Sequence, residues 1–215
     1  MVKSDNIKKV FFKDQAFTIL DDVYEPAEDT FLFAKNLTVN IGDEVLEIGA
    51  GCGILSVISA LKARRVVAVD VSPDAVRCTK LNSEDNGVSD KVDVVRGDLF
   101  GPLKKEAFFD IVLFNAPYLP TENEKPSIWI DYAWSGGKKG REVIDRFIAN
   151  VPEHLKAGGR ILLAQSTLSD IEETLASFAE QGFEVIVIAE QKVAFETITI
   201  IQAKKSLHKL SKTRF

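Results

Sequence analysis

The feature that most constrains the fold is a regular alternation of short apolar runs with longer amphipathic ones. Glu44–Ile48, Arg65–Asp70, Lys91–Arg96, Asp110–Asn115, Gly159–Gln165, Phe183–Ala189 and Glu196–Ala203 are strand-length and apolar or β-branched. Ile54–Lys62, Pro73–Asp85, Gly140–His154 and Ser169–Gln181 read as helices, with Ser72 capping the second and Pro73 at its first position. Strands alternating with helices of this length imply a mainly parallel sheet covered on both faces. Only Glu190-Gln191-Lys192 separates the last two strands, so they are expected to form an antiparallel hairpin. The expected fold is α/β: a seven-stranded Rossmann-like sheet with one antiparallel strand and helices on both faces. A hairpin over Lys9–Leu20 and a helix over Glu28–Leu37 precede it. The expected division is residues 1–40 as hairpin and helix packed on the core, 41–203 as the main domain, and 204–215 as a basic tail.

A chain of 215 residues, 46% hydrophobic, can bury one sizeable core. Its apolar runs are too short to span a bilayer, and residues 1–9 lack the apolar stretch of a signal peptide. Cys52 and Cys78 lie far apart, giving neither a disulfide framework nor zinc-ligand spacing. These features point to a cytoplasmic protein with no membrane contact and no bound metal. A net charge of −5 argues against a dedicated duplex-DNA binder, which needs a basic face. The tail reverses that sign, with Lys204, Lys205, Lys209, Lys212 and Arg214 and no acid. It reads either as a solvated terminus or as a contact to RNA or a ribonucleoprotein.

Ligands of doubly wound folds sit beyond the carboxyl ends of the strands. The first main strand ends in Glu47-Ile48-Gly49-Ala50-Gly51-Cys52-Gly53, where Gly49 and Gly51 let the backbone approach a ligand. The second ends in Asp70, about 20 residues on, where an acid can accept from a ribose diol. The third is followed by Asp98, which can accept from an adenine amine, and by Leu99, which offers its backbone N–H. Together these ends describe an adenosine pocket. The spacing is not that of a dinucleotide fingerprint, and no Lys-Ser/Thr pair follows to hold phosphates. Glu47 would repel a diphosphate but could receive an ammonium group. S-adenosyl-L-methionine carries that group and is the expected cofactor, which makes the fold a class I methyltransferase sheet.

The fourth main strand runs into Asn115-Ala116-Pro117-Tyr118. Pro117 fixes its own φ and biases Ala116 to an extended conformation, so the Asn115 side chain and the Ala116 carbonyl can face one space. An amide nitrogen is a poor nucleophile because its lone pair is delocalised. Two acceptors holding its N–H groups would orient it and stabilise the positive charge that develops on transfer. Tyr118 offers a flat face for a planar amide or base. The least regular stretch, Leu119 to Gly140, follows this loop, and a connection that long is usually functional or mobile.

Asn115 to Tyr118 resembles the [Asp/Asn/Ser]-Pro-Pro-[Tyr/Phe] motif of amino-methyltransferases. Val23-Tyr24-Glu25-Pro26-Ala27-Glu28-Asp29-Thr30 resembles the N-terminal signature of the short HemK-like glutamine methyltransferases of the eukaryotic and archaeal kind. Ala133-Trp134-Ser135-Gly136-Gly137 and Gly140-Arg141-Glu142-Val143-Ile144-Asp145-Arg146-Phe147 resemble the same family's segment after the catalytic loop. The resemblance implies N5-methylation of the glutamine in the Gly-Gly-Gln motif of a translation termination (peptide chain release) factor. It also implies that Thr30, Glu47, Gly49, Asp70, Asp98, Leu99 and Asn115 contact or border the cofactor, and that Asn115 to Tyr118 hold the glutamine amide. A small zinc-binding activator protein is implied along the sheet edge near Lys91–Arg96. The sequence departs from the motif at Ala116, where a proline is usual; a backbone carbonyl is what the chemistry asks there. Two other readings stay open: a nucleic-acid adenine-N6 methyltransferase, and a non-catalytic scaffold that keeps the pocket.

Overall fold

The computed structural model describes residues 8–122 and 128–205. A hairpin comes first, β1 (Lys8–Phe12) and β2 (Gln15–Ile19), then α1 (Glu28–Asn36). The main sheet follows with β3 (Glu44–Ile48), α2 (Ile54–Ala60), β4 (Arg65–Asp70), α3 (Pro73–Asp85) and β5 (Val92–Arg96). It continues through β6 (Phe109–Asn115), α4 (Glu142–Asn150), β7 (Leu155–Ser166), α5 (Ile171–Glu180), β8 (Phe183–Lys192) and β9 (Thr197–Lys205).

The seven strands lie in the order β5-β4-β3-β6-β7-β9-β8. β9 alone runs against its neighbours, pairing antiparallel with both β7 and β8. The expected α/β sheet with one reversed strand is the architecture found. Strand alternation divides the interior in two. Val45, Ile111, Leu113 and Leu162 face one core with the hairpin, α1 and α2. Leu46, Val112, Phe114 and Leu163 face the other, with Phe147 of α4 and Phe178 of α5.

The hairpin is tied down by a buried amide. Asn82 of α3 is fully buried; its Oδ1 accepts from Thr18 N at 2.8 Å and its Nδ2 donates to Thr18 O at 2.8 Å. The side chain imitates a neighbouring strand, satisfying an edge that would otherwise be bare. Phe17 beside it has no exposed surface.

Several boundaries depart from expectation for local reasons. The helix expected from Gly140 begins at Glu142, because Gly140 adopts φ +70°, outside the helical region. The helix expected to run to His154 gives way to a 3₁₀ turn, Val151–His154, with Pro152 in its first turn. Glu190-Gln191-Lys192 is not the last turn: β8 bulges near Val187 and runs on through these residues, and the chain reverses over Val193–Glu196. Lys204 and Lys205 belong to β9, not to a tail, and Lys205 Nζ donates to Pro152 O at 2.9 Å. Lys209, Lys212 and Arg214 lie outside the described residues. No helix among the described residues is long and apolar enough to cross a membrane.

Candidate active site

The order of strand addition reverses between the parallel neighbours β3 and β6, and a crevice opens beyond their carboxyl ends. A cavity of about 470 Å³ fills it. Gly49, Gly51, Asp70, Asp98, Leu99, Asn115 and Pro117 line this space, so these sequence-predicted residues converge from four segments.

The glycine loop is bare toward the cavity. Gly51 sits at φ +57°, and a Cβ added there would meet no atom within 4 Å. Gly53 works differently: a Cβ would come within 2.9 Å of Thr79 Cγ2, so this glycine lets α2 start hard against α3. Asp70 accepts from Gly51 N and Ser72 N, each at 2.9 Å, through different oxygens. Ser72 itself caps α3, accepting from Ala75 N at 3.3 Å. Burial raises the Asp70 carboxyl above its ordinary range, and those backbone N–H groups pull against the rise.

At the neighbouring strand end Leu99 adopts φ +48°, a left-handed conformation unusual for a branched residue. Strain of this kind persists where the surroundings over-determine it, as at ligand clamps. Asp98 is exposed and forms a 2.5 Å ion pair with Arg146 of α4, so one of its oxygens is already engaged.

Thr30, Glu47, Ala116 and Tyr118 do not line the cavity. Glu47 is buried beneath the glycine loop and accepts from Ser56 Oγ. Burial pushes its carboxyl up to about 8. Its carboxylate faces Ser56 rather than the open cavity. The raised value makes the folded chain hold this proton more tightly than the unfolded chain. That contribution favours folding at low pH and is lost as pH rises from 4.5 toward about 8. Glu47→Gln should flatten the fall in melting temperature of the cofactor-free protein across that window. An unchanged slope in thermal melts would show that another group carries it.

Asn115 ends β6, and both hydrogens of its amide are taken. Nδ2 donates to Asp29 Oδ2 at 3.0 Å and to Thr30 Oγ1 at 3.3 Å. Its Oδ1 is buried and has no hydrogen-bond partner among the described residues. Asn115 lines the cavity, and an orphan buried acceptor on such a residue calls for a donor. Tyr118 and Ala116 are buried beside it, and Ala116 N donates to Ala164 O at 3.3 Å. A proline at 116 would forgo that bond to β7.

The segment after the loop braces it. Leu119 N donates to Trp134 O and Gly136 N to Leu119 O, each at 2.9 Å. A Cβ on Gly136 would lie 2.6 Å from Pro117 O, so only glycine allows this approach. Arg141, almost fully buried, donates to Ser169 O, Asp170 O and Thr174 Oγ1 and pairs with Asp145 and Glu173. It locks the braced loop to α5. Sequence reasoning assigned no role to Asp29, Arg141 or Arg146. Asp29 stood in a matched segment beside Thr30, which was the one available signal for it.

The cavity suits the expected cofactor on geometry alone: bare glycine backbone, a paired carboxylate for a ribose, and a clamp at the third strand end. The family profile "Methyltransferase small domain" matches residues 25–132. A putative protein N5-glutamine methyltransferase of Methanocaldococcus jannaschii is 43% identical over 85% of this chain and 91% of its own length. The Homo sapiens methyltransferase HEMK2 is 34% identical over 86% of this chain and 91% of its own. Among solved structures, the E. cuniculi Mtq2-Trm112 complex, described as methylating the eRF1 translation termination factor, superposes with TM-score 0.67 at 28% identity. That match covers 86% of this chain and 99% of the other. With a site of this geometry and relatives at this identity and coverage, the chain belongs to the HemK-like family of S-adenosylmethionine-dependent protein-glutamine methyltransferases.

Proposed function

We propose that this enzyme methylates the side-chain amide nitrogen of the glutamine in the Gly-Gly-Gln motif of a translation termination factor. The observation that carries the reading is the buried, partnerless Oδ1 of Asn115, a residue that lines the cavity. A glutamine amide supplies the N–H this oxygen lacks. When bound, the cofactor provides an electrophilic methyl group. Asp70 takes the ribose hydroxyls, Gly49 and Gly51 lie along the amino-acid arm, and Asp98 with Leu99 meets the adenine. Thr30 and Glu47 act from behind the wall rather than in it.

Asn115 Oδ1 and the Ala116 carbonyl hold the two N–H groups of the substrate amide, so its nitrogen is presented in one orientation. Positive charge developing there is met by these fixed acceptors, whose reorganisation cost was met on folding. No strong base is required, because an N-protonated amide is acidic and readily gives up its proton. Pro117 fixes its own φ in this loop, and Tyr118 is buried behind it. An adenine amine would satisfy the same acceptors, but the M. jannaschii relative is described as a putative protein N5-glutamine methyltransferase and the E. cuniculi complex as methylating a termination factor, both protein substrates.

The test is a peptide map by mass spectrometry after incubation with cofactor and purified termination factor, with and without the activator. One added methyl on the Gly-Gly-Gln glutamine is expected. Methylation confined to a lysine or to added nucleic acid would overturn the reading.

The E. cuniculi relative is found in complex with Trm112, which supports an activator partner here too; we place it, as a small zinc-binding protein, on the β5 edge. Among the described residues β5 pairs with β4 alone. Lys91 O and Gly97 N bond to β4, so the N–H groups of Val92, Val94 and Arg96 point away from the sheet. An open edge of this kind accepts an added strand. Val94's side chain packs against the first core, so a charge there would disturb folding rather than docking. Val94→Pro is the better probe: it removes one outward N–H, a change tolerated on an edge. Co-expressed activator should then separate on size-exclusion chromatography while cofactor binding persists; a complex that survives places the activator elsewhere.

A further inference from the structure

We infer that Asp29 is a positioning residue that fixes which end of the Asn115 amide faces the substrate; the inference rests on the glutamine reading above. A carboxamide is nearly symmetric in shape, so packing alone does not choose between its oxygen and its nitrogen. Its partners choose. An ionised carboxylate can only accept, so the group facing Asp29 Oδ2 at 3.0 Å must be the Asn115 nitrogen.

Asp29 is itself held without freedom. It is 5% exposed, at the start of α1. Its Oδ1 accepts from Thr30 N at 2.6 Å, from Thr30 Oγ1 at 3.2 Å and from Tyr24 OH at 3.3 Å. Since the Thr30 hydroxyl donates its proton to Asp29, its oxygen is free to accept the second Asn115 N–H at 3.3 Å. Every donor in this chain has one direction, and it ends with the buried Asn115 Oδ1 as the unused acceptor, on a residue that lines the cavity. The charge behind the amide also polarises it, making that oxygen a stronger acceptor as positive charge grows on the substrate nitrogen.

Asp29→Asn changes one atom and reverses the logic. Thr30 N still requires an oxygen at residue 29, so the new amide nitrogen faces Asn115 and drives its side chain to flip. A donor then confronts the substrate N–H groups. The expected result is a kcat lower by about tenfold to a hundredfold, with cofactor affinity within about threefold of wild type. The double exchange, Asp29→Asn with Asn115→Asp, restores a donor facing an acceptor and returns an acceptor to the cavity. It should turn over faster than Asp29→Asn alone, which a merely structural role for Asp29 does not predict. If Asp29→Asn fails to fold, Asn115→Asp in the intact Asp29 background is read instead. Two carboxylates then face each other and share a proton, so activity should fall as pH rises through a step that the wild type lacks.

A substrate-free readout separates this inference from the functional one. In cofactor-free enzyme the side-chain amide pair of Asn115, assigned by its loss in Asn115→Ala, should exchange slowly with solvent and speed up in Asp29→Asn. An exchange rate unmoved by Asp29→Asn, a wild-type kcat in that variant, or a double exchange no faster than the single would each overturn the inference. Slow exchange that Asp29→Asn releases, in an enzyme that leaves the glutamine unmethylated, would count against the glutamine reading alone.

Discussion

Asn115→Ala is expected to lower kcat for glutamine methylation by about 100- to 1000-fold, the usual cost of losing one preorganised transition-state partner. The loss should fall on kcat because the Oδ1 contact strengthens as charge develops on the substrate nitrogen, and matters less in the ground state. Cofactor affinity should change modestly, since Asp70 and the glycine loop stand on other strands. The substitution also leaves Asp29 Oδ2 without the donor it has at 3.0 Å, a buried-acceptor penalty of about 1–3 kcal/mol. A thermal melt must therefore accompany the single-turnover rate. A folded Asn115→Ala protein at near wild-type kcat would remove this loop from the chemistry.

Asp70→Ala acts on the other half of the cavity. A hydrogen bond to a charged group contributes about 1.5–3 kcal/mol, so calorimetry should show cofactor affinity weakened by about 10- to 100-fold. Asp70 also accepts from Gly51 N and Ser72 N, so alanine releases the glycine loop as well as the ribose. Asp70→Asn separates the two effects. Its single oxygen can serve one of those N–H groups while its nitrogen opposes the other, so the loop loosens even though a polar group remains. Unchanged affinity in a folded Asp70→Ala protein would take the ribose away from this residue.

The parts legible in the sequence were those written in local patterns. Alternating strand and helix periodicity yielded the sheet, and the glycine spacing with Asp70 and Asp98 at successive strand ends yielded the pocket. What escaped was set by contacts between distant segments. Asp29 and Asn115 lie 86 positions apart, and no spacing rule connects the start of α1 to the end of β6. Thr30, which the resemblance sets beside the cofactor, also accepts from Asn115, a link no local pattern shows. A sequence shows the formal charge of Glu47, not its burial under the glycine loop, where it accepts from Ser56 and stands outside the cavity lining. Arg141 reads as an ordinary helix-start residue until folding buries it among three oxygen acceptors. The last turn was misplaced because β8 continues past a bulge, which alternation alone does not reveal.

The chemistry assigned to Asn115 needs a substrate that donates an amide N–H. The most direct measurement is transfer of labelled methyl from the cofactor to a termination-factor fragment, compared with the same fragment carrying glutamate or alanine in place of the Gly-Gly-Gln glutamine. Label should appear on the glutamine fragment and fall to background on both others, because neither offers an amide N–H to Asn115 Oδ1. Label persisting on the alanine fragment would contradict the assigned chemistry at its centre.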